Sequence, residues 1–178
     1  MTNHVTKEYH SKFAVRGDLR IIRRSAKDGH ILGVWEKKNV ITYNGTDALV
    51  SLMAPNAGIV QEELQIKSMR FGESNLTPQR TDLDLAQEAI VGGSPVRIEL
   101  LDAQRIIGTS TVEFVATLDS ATGNGVTYRE AGLFTRGTHD DPLSTGTTDY
   151  LFARQVFPDQ VKTASVVLEF RWRVTFTV

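Results

Sequence analysis

The sequence predicts a mainly β fold, a β-sandwich or barrel-like arrangement of antiparallel sheets with one or two short helices. Near the carboxyl end, apolar and polar residues alternate with the two-residue period of a half-buried strand. Asp28-Gly29 and Asn124-Gly125 are dipeptides that favour tight turns between strands. Apolar residues recur at helical spacing in one clear stretch, residues 46–53. Short strands separated by turns are typical of sandwiches and barrels.

The composition is that of a globular domain, with 40% hydrophobic and 23% charged residues in a chain of 178. This length fits one domain, so we expect residues 13–178 to form a single β-rich domain. Residues 1–12 are polar and lack periodicity, which predicts a flexible arm or an arm ordered only by a partner. Cysteine is absent, which excludes disulfides, thiolate zinc sites and cysteine nucleophiles. No apolar run is long enough to cross a bilayer, so we expect no membrane contact.

The first structured region is predicted to be a hairpin of two strands, residues 13–24 and 30–42, joined by a turn at Asp28-Gly29. Up to Asn39 the chain has nine basic residues and four acidic ones. The basic residues alternate with apolar ones, which predicts a solvated basic face on these strands; a nucleic-acid surface is the less favoured alternative. The residues of this predicted face are Arg16, Arg20, Arg23, Arg24, Lys37 and Lys38.

A short helix is predicted next, over residues 46–53, with Asn44-Gly45 as its cap. Residues 64–71 alternate as a strand and stop at Gly72. Residues 73–88 form an irregular crossing that could hold a helical turn, and long loops of this kind often make contacts.

The second half of the chain predicts strands at residues 96–101, 106–118 and 126–135, with the last two paired as a hairpin through Asn124-Gly125. Residues 137–149 are rich in polar turn formers and predict an exposed loop. The closing strand has a continuous apolar side, which must be covered within the subunit or across an interface. The residues of this core or interface strand are Phe170, Trp172, Val174 and Phe176.

A search for catalytic or metal-binding patterns finds none with the required spacing. The four histidines do not fall at spacings that aim two rings at one metal, and Asp140-Asp141 lacks the rest of a calcium loop. Adjacent acids such as Asp82 and Asp84 are typical of a solvated surface, although paired carboxylates also serve glycoside hydrolysis. We therefore expect a protein that is not an enzyme and has no cofactor, no metal and no small-molecule substrate.

Glu130 differs from the other acidic residues because it lies within REAGLF, between residues that should be packed. A buried carboxylate requires a partner, and Arg154 or Lys162 is predicted to supply it. A structural ion pair, or a carboxylate that caps backbone amides, is favoured over catalysis. Trp35 and Tyr150 are the aromatic residues most available for surface recognition.

Five segments, in this order, resemble structural proteins of tailed bacteriophages that are associated with the tail, baseplate or collar. The segments are WEKKNVITYNG, IKSMRFGES, YREAGLFTR, LFARQVFPDQVKT and VVLEFRWRVTF. The residues that match are Asn39, Ile41, Gly45, residues 130–134, Lys162 and Trp172. The resemblance spans most of the chain from Val34 to Val178.

The resemblance implies a non-enzymatic virion protein that is assembled in the host bacterial cytoplasm. Its partners would be copies of itself and other virion proteins, with the basic strand pair complementing an acidic neighbour. Direct contact with nucleic acid is not expected. Two alternatives stay open: a capsid decoration protein, and a carbohydrate-binding adhesin for the host surface. The resemblance leaves the position in the particle open among tail, baseplate and neck.

Overall fold

The computed structural model describes residues 14–53, 64–101, 105–135 and 150–177, which form a mainly β structure with one helix. The mainly β, antiparallel prediction is confirmed, and the sheets are not closed into a barrel. The predicted arm (residues 1–12) and the predicted loop (residues 137–149) lie outside the described residues. The elements are β1 Ala14–Ser25, β2 Ile31–Lys38, β3 Val40–Ile41, α1 Tyr43–Met53, β4 Ile66–Gly72, β5 Ile90–Val91, β6 Ser94–Pro95, β7 Arg97–Glu99, β8 Arg105–Ile107, β9 Thr111–Leu118, β10 Thr127–Thr135, β11 Leu151–Val161 and β12 Val166–Thr177.

Two five-stranded sheets make up the sandwich. Sheet A has the order β2-β1-β12-β9-β8, and sheet B has the order β3-β11-β10-β4-β7. The core lies between them, because alternate side chains of each sheet point toward the other. The ring of Phe170 in sheet A lies 4.6 Å from that of Phe71 in sheet B, centroid to centroid. In the described part of the chain, no helix is long and apolar enough to span a membrane.

The closing strand β12 lies in the middle of sheet A. It pairs with β1 on one side and with β9 on the other, along almost its whole length. Phe170, Trp172 and Val174 are buried in the core, while Phe176 is partly buried at its border. Within the subunit, the apolar side of this strand is therefore core at Phe170, Trp172 and Val174, while Phe176 stays partly exposed.

One predicted hairpin forms and the other does not. β1 and β2 pair as predicted, with Gly29 at φ +72° in the connecting turn. The predicted pairing of residues 106–118 with 126–135 is wrong, because β9 pairs with β12 and β8 while β10 pairs with β11 and β4. The turn before β10 carries the chain from sheet A to sheet B. A turn signal indicates a reversal, but not whether the next strand joins the same sheet.

Helix α1 begins earlier than predicted. The Thr42 hydroxyl accepts the N–H of Gly45 at 3.0 Å, so Thr42 is the N-cap and Asn44-Gly45 lie in the first turn. A Cβ on Gly45 would collide with the carbonyl of Phe152 on β11. Gly45 therefore lets the helix approach the sheet closely, which is a packing role and not a capping role.

Candidate functional site

The crossing segment, residues 73–88, covers the outer face of sheet B. It leaves β4 after Gly72 and returns to the same strand, where Gly72 and Glu88 form an antiparallel bridge. The N–H of Glu73 donates to the carbonyl of Gln87 at 2.9 Å, which closes the base of the loop. Leu85 anchors the segment in a small apolar cluster with Phe134 and Leu151. The predicted irregular crossing is thus an ordered cover without a helical turn.

Glu130 lies beneath this segment and is fully buried. On β10 its neighbours Ala131 and Leu133 point into the core, so alternation directs Glu130 to the outer face. Its carboxylate accepts backbone N–H groups of the segment, from Gln87 at 2.8 Å and Ala86 at 3.1 Å, with a longer contact from Ser74 at 3.4 Å. These bonds satisfy amides that the irregular backbone leaves without a ladder partner.

The buried partner of Glu130 is Arg154 on β11. Its guanidinium donates to Oε2 of Glu130 at 2.7 Å, to Oδ2 of Asp82 at 2.7 Å and to the carbonyl of Leu76 at 3.1 Å. Arg154 is 2% exposed, so its charge is neutralised almost entirely by protein groups. The network joins two strands of sheet B to both halves of the crossing segment, and it combines the ion pair with the amide capping.

Lys162, the other partner considered for Glu130, takes no part in this network. It follows the end of β11, eight positions from Arg154 or about 26 Å along an extended strand. Its Nζ donates to Oδ1 of Asn124 at 2.6 Å and to the carbonyl of Thr163 at 3.0 Å. Burial lowers the pKa of Lys162, and the carboxylate of Asp119 opposes that shift. Its role is to hold the turn before β10.

Sequence reasoning missed two members of the Glu130 network. Asp82 was interpreted as a solvated acid, but its carboxylate accepts from Arg154 and from the N–H of Gln79. Gly72 is the second, because a Cβ there would collide with the Gln87 carbonyl and the Glu130 side chain. Its position at the end of β4 indicated a strand terminus, whereas the reason for glycine is the close approach of the crossing segment.

The predicted basic face is divided between two sides of sheet A. Arg16, Arg20, Arg24 and Lys38 lie on the outer face, whereas Arg23 and Lys37 lie on the side that faces sheet B. The prediction of one basic face is therefore wrong. A strand alternates its side chains, so Arg23 and Arg24, or Lys37 and Lys38, cannot share a face. The outer face also holds the acidic residues Asp18, Glu36, Glu113 and Glu169.

Ion pairs on this outer face are partly open to solvent. Arg171 donates to Glu169 at 2.5 Å and to Glu113 at 3.1 Å, and Arg173 donates to Glu113 at 3.0 Å. The hydrogen bond to Glu169 is the main cause of a raised pKa at Arg171. A cavity of about 130 Å³ is lined by three carboxylates and three guanidinium groups. This balance gives the face a pattern of alternating charge and not a uniform positive potential.

Among the described strands, β2 is an edge strand of sheet A, and apolar side chains lie at its start. Ile31, Leu32 and Val34 are 53%, 47% and 49% exposed. The N–H of Asn39 donates to the carbonyl of Gly17, and antiparallel alternation then directs the backbone groups of Val34, Glu36 and Lys38 away from β1. The edge can therefore accept a further strand.

The two aromatic residues considered for surface recognition are both partly buried. Trp35 packs edge-on against Phe157, with ring centroids 5.8 Å apart, on the side of β2 that faces the core. The carbonyl of Tyr150 accepts the N–H of Thr135. Trp35 is therefore a border residue of the core.

Among the described residues, no group of three or more histidine, aspartate or glutamate side chains is placed to hold a metal ion. No family model, curated protein or solved structure matches the chain. In the part of the chain that the structure describes, the fold and the site together define a β-sandwich protein with an ordered, ion-paired cover on sheet B and exposed apolar side chains at the β2 edge of sheet A.

Proposed function

We propose that this chain is a non-enzymatic structural protein of a tailed-bacteriophage particle, which assembles through contacts with copies of itself and with other virion proteins at the tail, baseplate or neck. The order of the five segments described above supports the phage context. The observation that carries the assembly role is the free edge of β2, where three large apolar side chains are about half exposed.

An added strand would gain two kinds of contact at this edge. It would form ladder hydrogen bonds with the outward backbone groups of β2, and it would bury the side chains of Ile31, Leu32 and Val34. Glu36 and Lys38, further along the same edge, would select the register by their charges. Sheet edges in proteins that stay monomeric are usually short, bulged or charged throughout. Strand β2 is eight residues long and has a bulge at Leu32, but its charged residues begin only at Glu36.

The Glu130–Arg154 network supports a structural function as well. Its carboxylates and guanidinium bond to protein groups on every side and hold the crossing segment in one conformation. A segment fixed in this way contributes a surface that loses little entropy on binding. A decoration protein of the capsid would use the same surfaces. An adhesin would need exposed aromatic side chains, and Tyr43 is 52% exposed whereas Trp35 is partly buried.

The position of the protein within the virion can be tested with purified particles of the phage that encodes it. We expect a gold-labelled antibody against the purified chain to mark the tail, baseplate or neck in electron micrographs. Label over the capsid would support the decoration alternative. Particles that lack the chain would overturn the proposal, as would hydrolysis of a host glycan by the purified protein.

The edge itself can be tested with Val34→Pro. Proline removes an N–H that points away from β1, so it blocks strand addition without removing a β1–β2 hydrogen bond. Val34→Thr is the matched control because it keeps the N–H. We expect the proline variant to enter particles about tenfold less than the threonine variant, with similar thermal unfolding of the two isolated proteins. Equal incorporation would contradict a role for this edge.

A further inference from the structure

A groove of about 690 Å³ lies between the start of β1, the end of β2 and helix α1. Its floor is apolar, and the helix contributes the exposed side chains of Val50 and Met53. The other apolar residues that line it are Val15, Val40, Ile41 and Leu49. A concave apolar surface of this size is suited to receive side chains of a partner protein.

The rim of the groove is basic. Arg16, Lys38 and Arg80 line it, and no ion pair joins any of the three to a carboxylate in the described part of the chain. The guanidinium of Arg80 lies over the ring of Tyr43, 4.6 Å from its centroid. The occupant that matches this groove is an apolar side chain flanked by carboxylates.

The crossing segment presents such a group close by. Leu83 is 71% exposed and lies between Asp82 and Asp84. The backbone around it is held, because Asp82 bonds to Arg154 on one side and Leu85 is buried on the other. Leu83 is thus an apolar tip with an acidic neighbour, on a segment that is already ordered.

The tip and the groove are neighbours on the surface. Arg80 of the rim precedes Leu83 by three positions, so their Cα atoms are at most about 11 Å apart. Two adjacent and complementary patches can pair reciprocally about a two-fold axis, since each copy then offers its tip to the groove of the other. We infer that a second copy of this chain occupies the groove, with Leu83 of each protomer on the apolar floor of its partner and Asp84 against Lys38 and Arg16. The inference rests on the proposed function, because it names a self-contact for assembly.

The test is the association of the purified full-length chain by sedimentation equilibrium. We expect a dimer whose dissociation constant rises about tenfold with Leu83→Ala, with Lys38→Glu and with Asp84→Lys. The combined variant Lys38→Glu with Asp84→Lys should bring the constant back toward the starting value, because the charges are exchanged and not removed. Salt should weaken the dimer.

Two matched control variants test whether the rise in the dissociation constant is specific to Leu83 and to the charges at the groove. Leu101→Ala removes another exposed leucine, and Lys27→Glu reverses an exposed charge at the far end of the β1–β2 hairpin. Both should leave the dissociation constant unchanged. A chain that stays monomeric, or a dimer insensitive to Leu83→Ala and to both charge reversals, would overturn the inference. Particle labelling is a separate readout, so a dimer absent from virions would overturn the proposed function alone.

Discussion

The outer faces of the two sheets hold the same pair of chemical groups in different surroundings. On sheet B, Arg154 and Glu130 meet at 2.7 Å beneath the crossing segment and are 2% and 0% exposed. On sheet A, Arg171 and Glu113 meet at 3.1 Å and are 37% and 14% exposed. The two distances are similar, so burial decides the energetic difference. Solvent screens the pair on sheet A, whereas the pair on sheet B has protein groups in place of water.

The largest expected effect is that of Glu130→Ala. Removal of the carboxylate leaves Arg154 with one acidic partner and leaves amides of the crossing segment unpaired, so we expect a loss of about 3 kcal/mol in the free energy of unfolding. Urea unfolding measures this loss. Trypsin should also cleave faster after Arg80, an exposed residue of the crossing segment. A loss no larger than that of Glu113→Ala on sheet A would contradict the comparison.

Gly72→Ala should act on the same face by a different route. The added Cβ would collide with the Gln87 carbonyl and with the side chain of Glu130, so the crossing segment must shift away from sheet B. We expect a loss of about 1–3 kcal/mol, as for other overpacked sites. Gly33→Ala on the open edge strand is the control, because nothing lies within 4 Å of its added Cβ. Similar losses at the two glycines would show that the cover is not closely packed.

The turn that joins the two sheets offers a test by pH. Tyr128 is buried and donates to the carbonyl of Gly123 at 2.7 Å, and burial raises the pKa of its hydroxyl to about 12. The neutral phenol is favoured by the fold, so its contribution is complete below pH about 10 and is lost as pH rises toward about 12. Tyr128→Phe should cost about 1 kcal/mol at neutral pH.

The wild-type protein should therefore lose more stability than Tyr128→Phe between pH about 10 and about 12, when urea midpoints of the two are compared. If the urea midpoints of the two proteins change with pH in parallel over this range, the phenol ionises as readily in the folded chain as in the unfolded one.

The smallest expected effect is that of Glu113→Ala on sheet A. Its carboxylate accepts from Arg171 and Arg173, but both guanidinium groups also contact solvent. We expect a loss below about 1 kcal/mol, which should shrink further in high salt. A loss that salt does not change would show that this face is covered, and the contrast between the two faces would then fail.

Part of the Glu130 site could be predicted from the chain alone. An acidic residue within a packed apolar segment requires a partner wherever it lies, and this argument needs no tertiary information. The choice between Arg154 and Lys162 needed the register of β10 against β11, which places Arg154 opposite Gly132 and Lys162 beyond the end of the strand. Asp82 is 48 positions from Glu130 in the sequence, and no local pattern connects the two.

The sequence by itself determined the two-residue alternation of apolar and polar side chains along the strands. It also determined which side of β12 would be buried and that β1 and β2 form a hairpin. Each of these follows from local rules, namely side-chain alternation and the backbone freedom of a turn residue. Only the tertiary structure decided that β9 and β10 join different sheets, that the basic residues separate onto two sides, and that Arg154 lies under a cover. These choices depend on contacts between distant segments, whose packing is set by the whole chain.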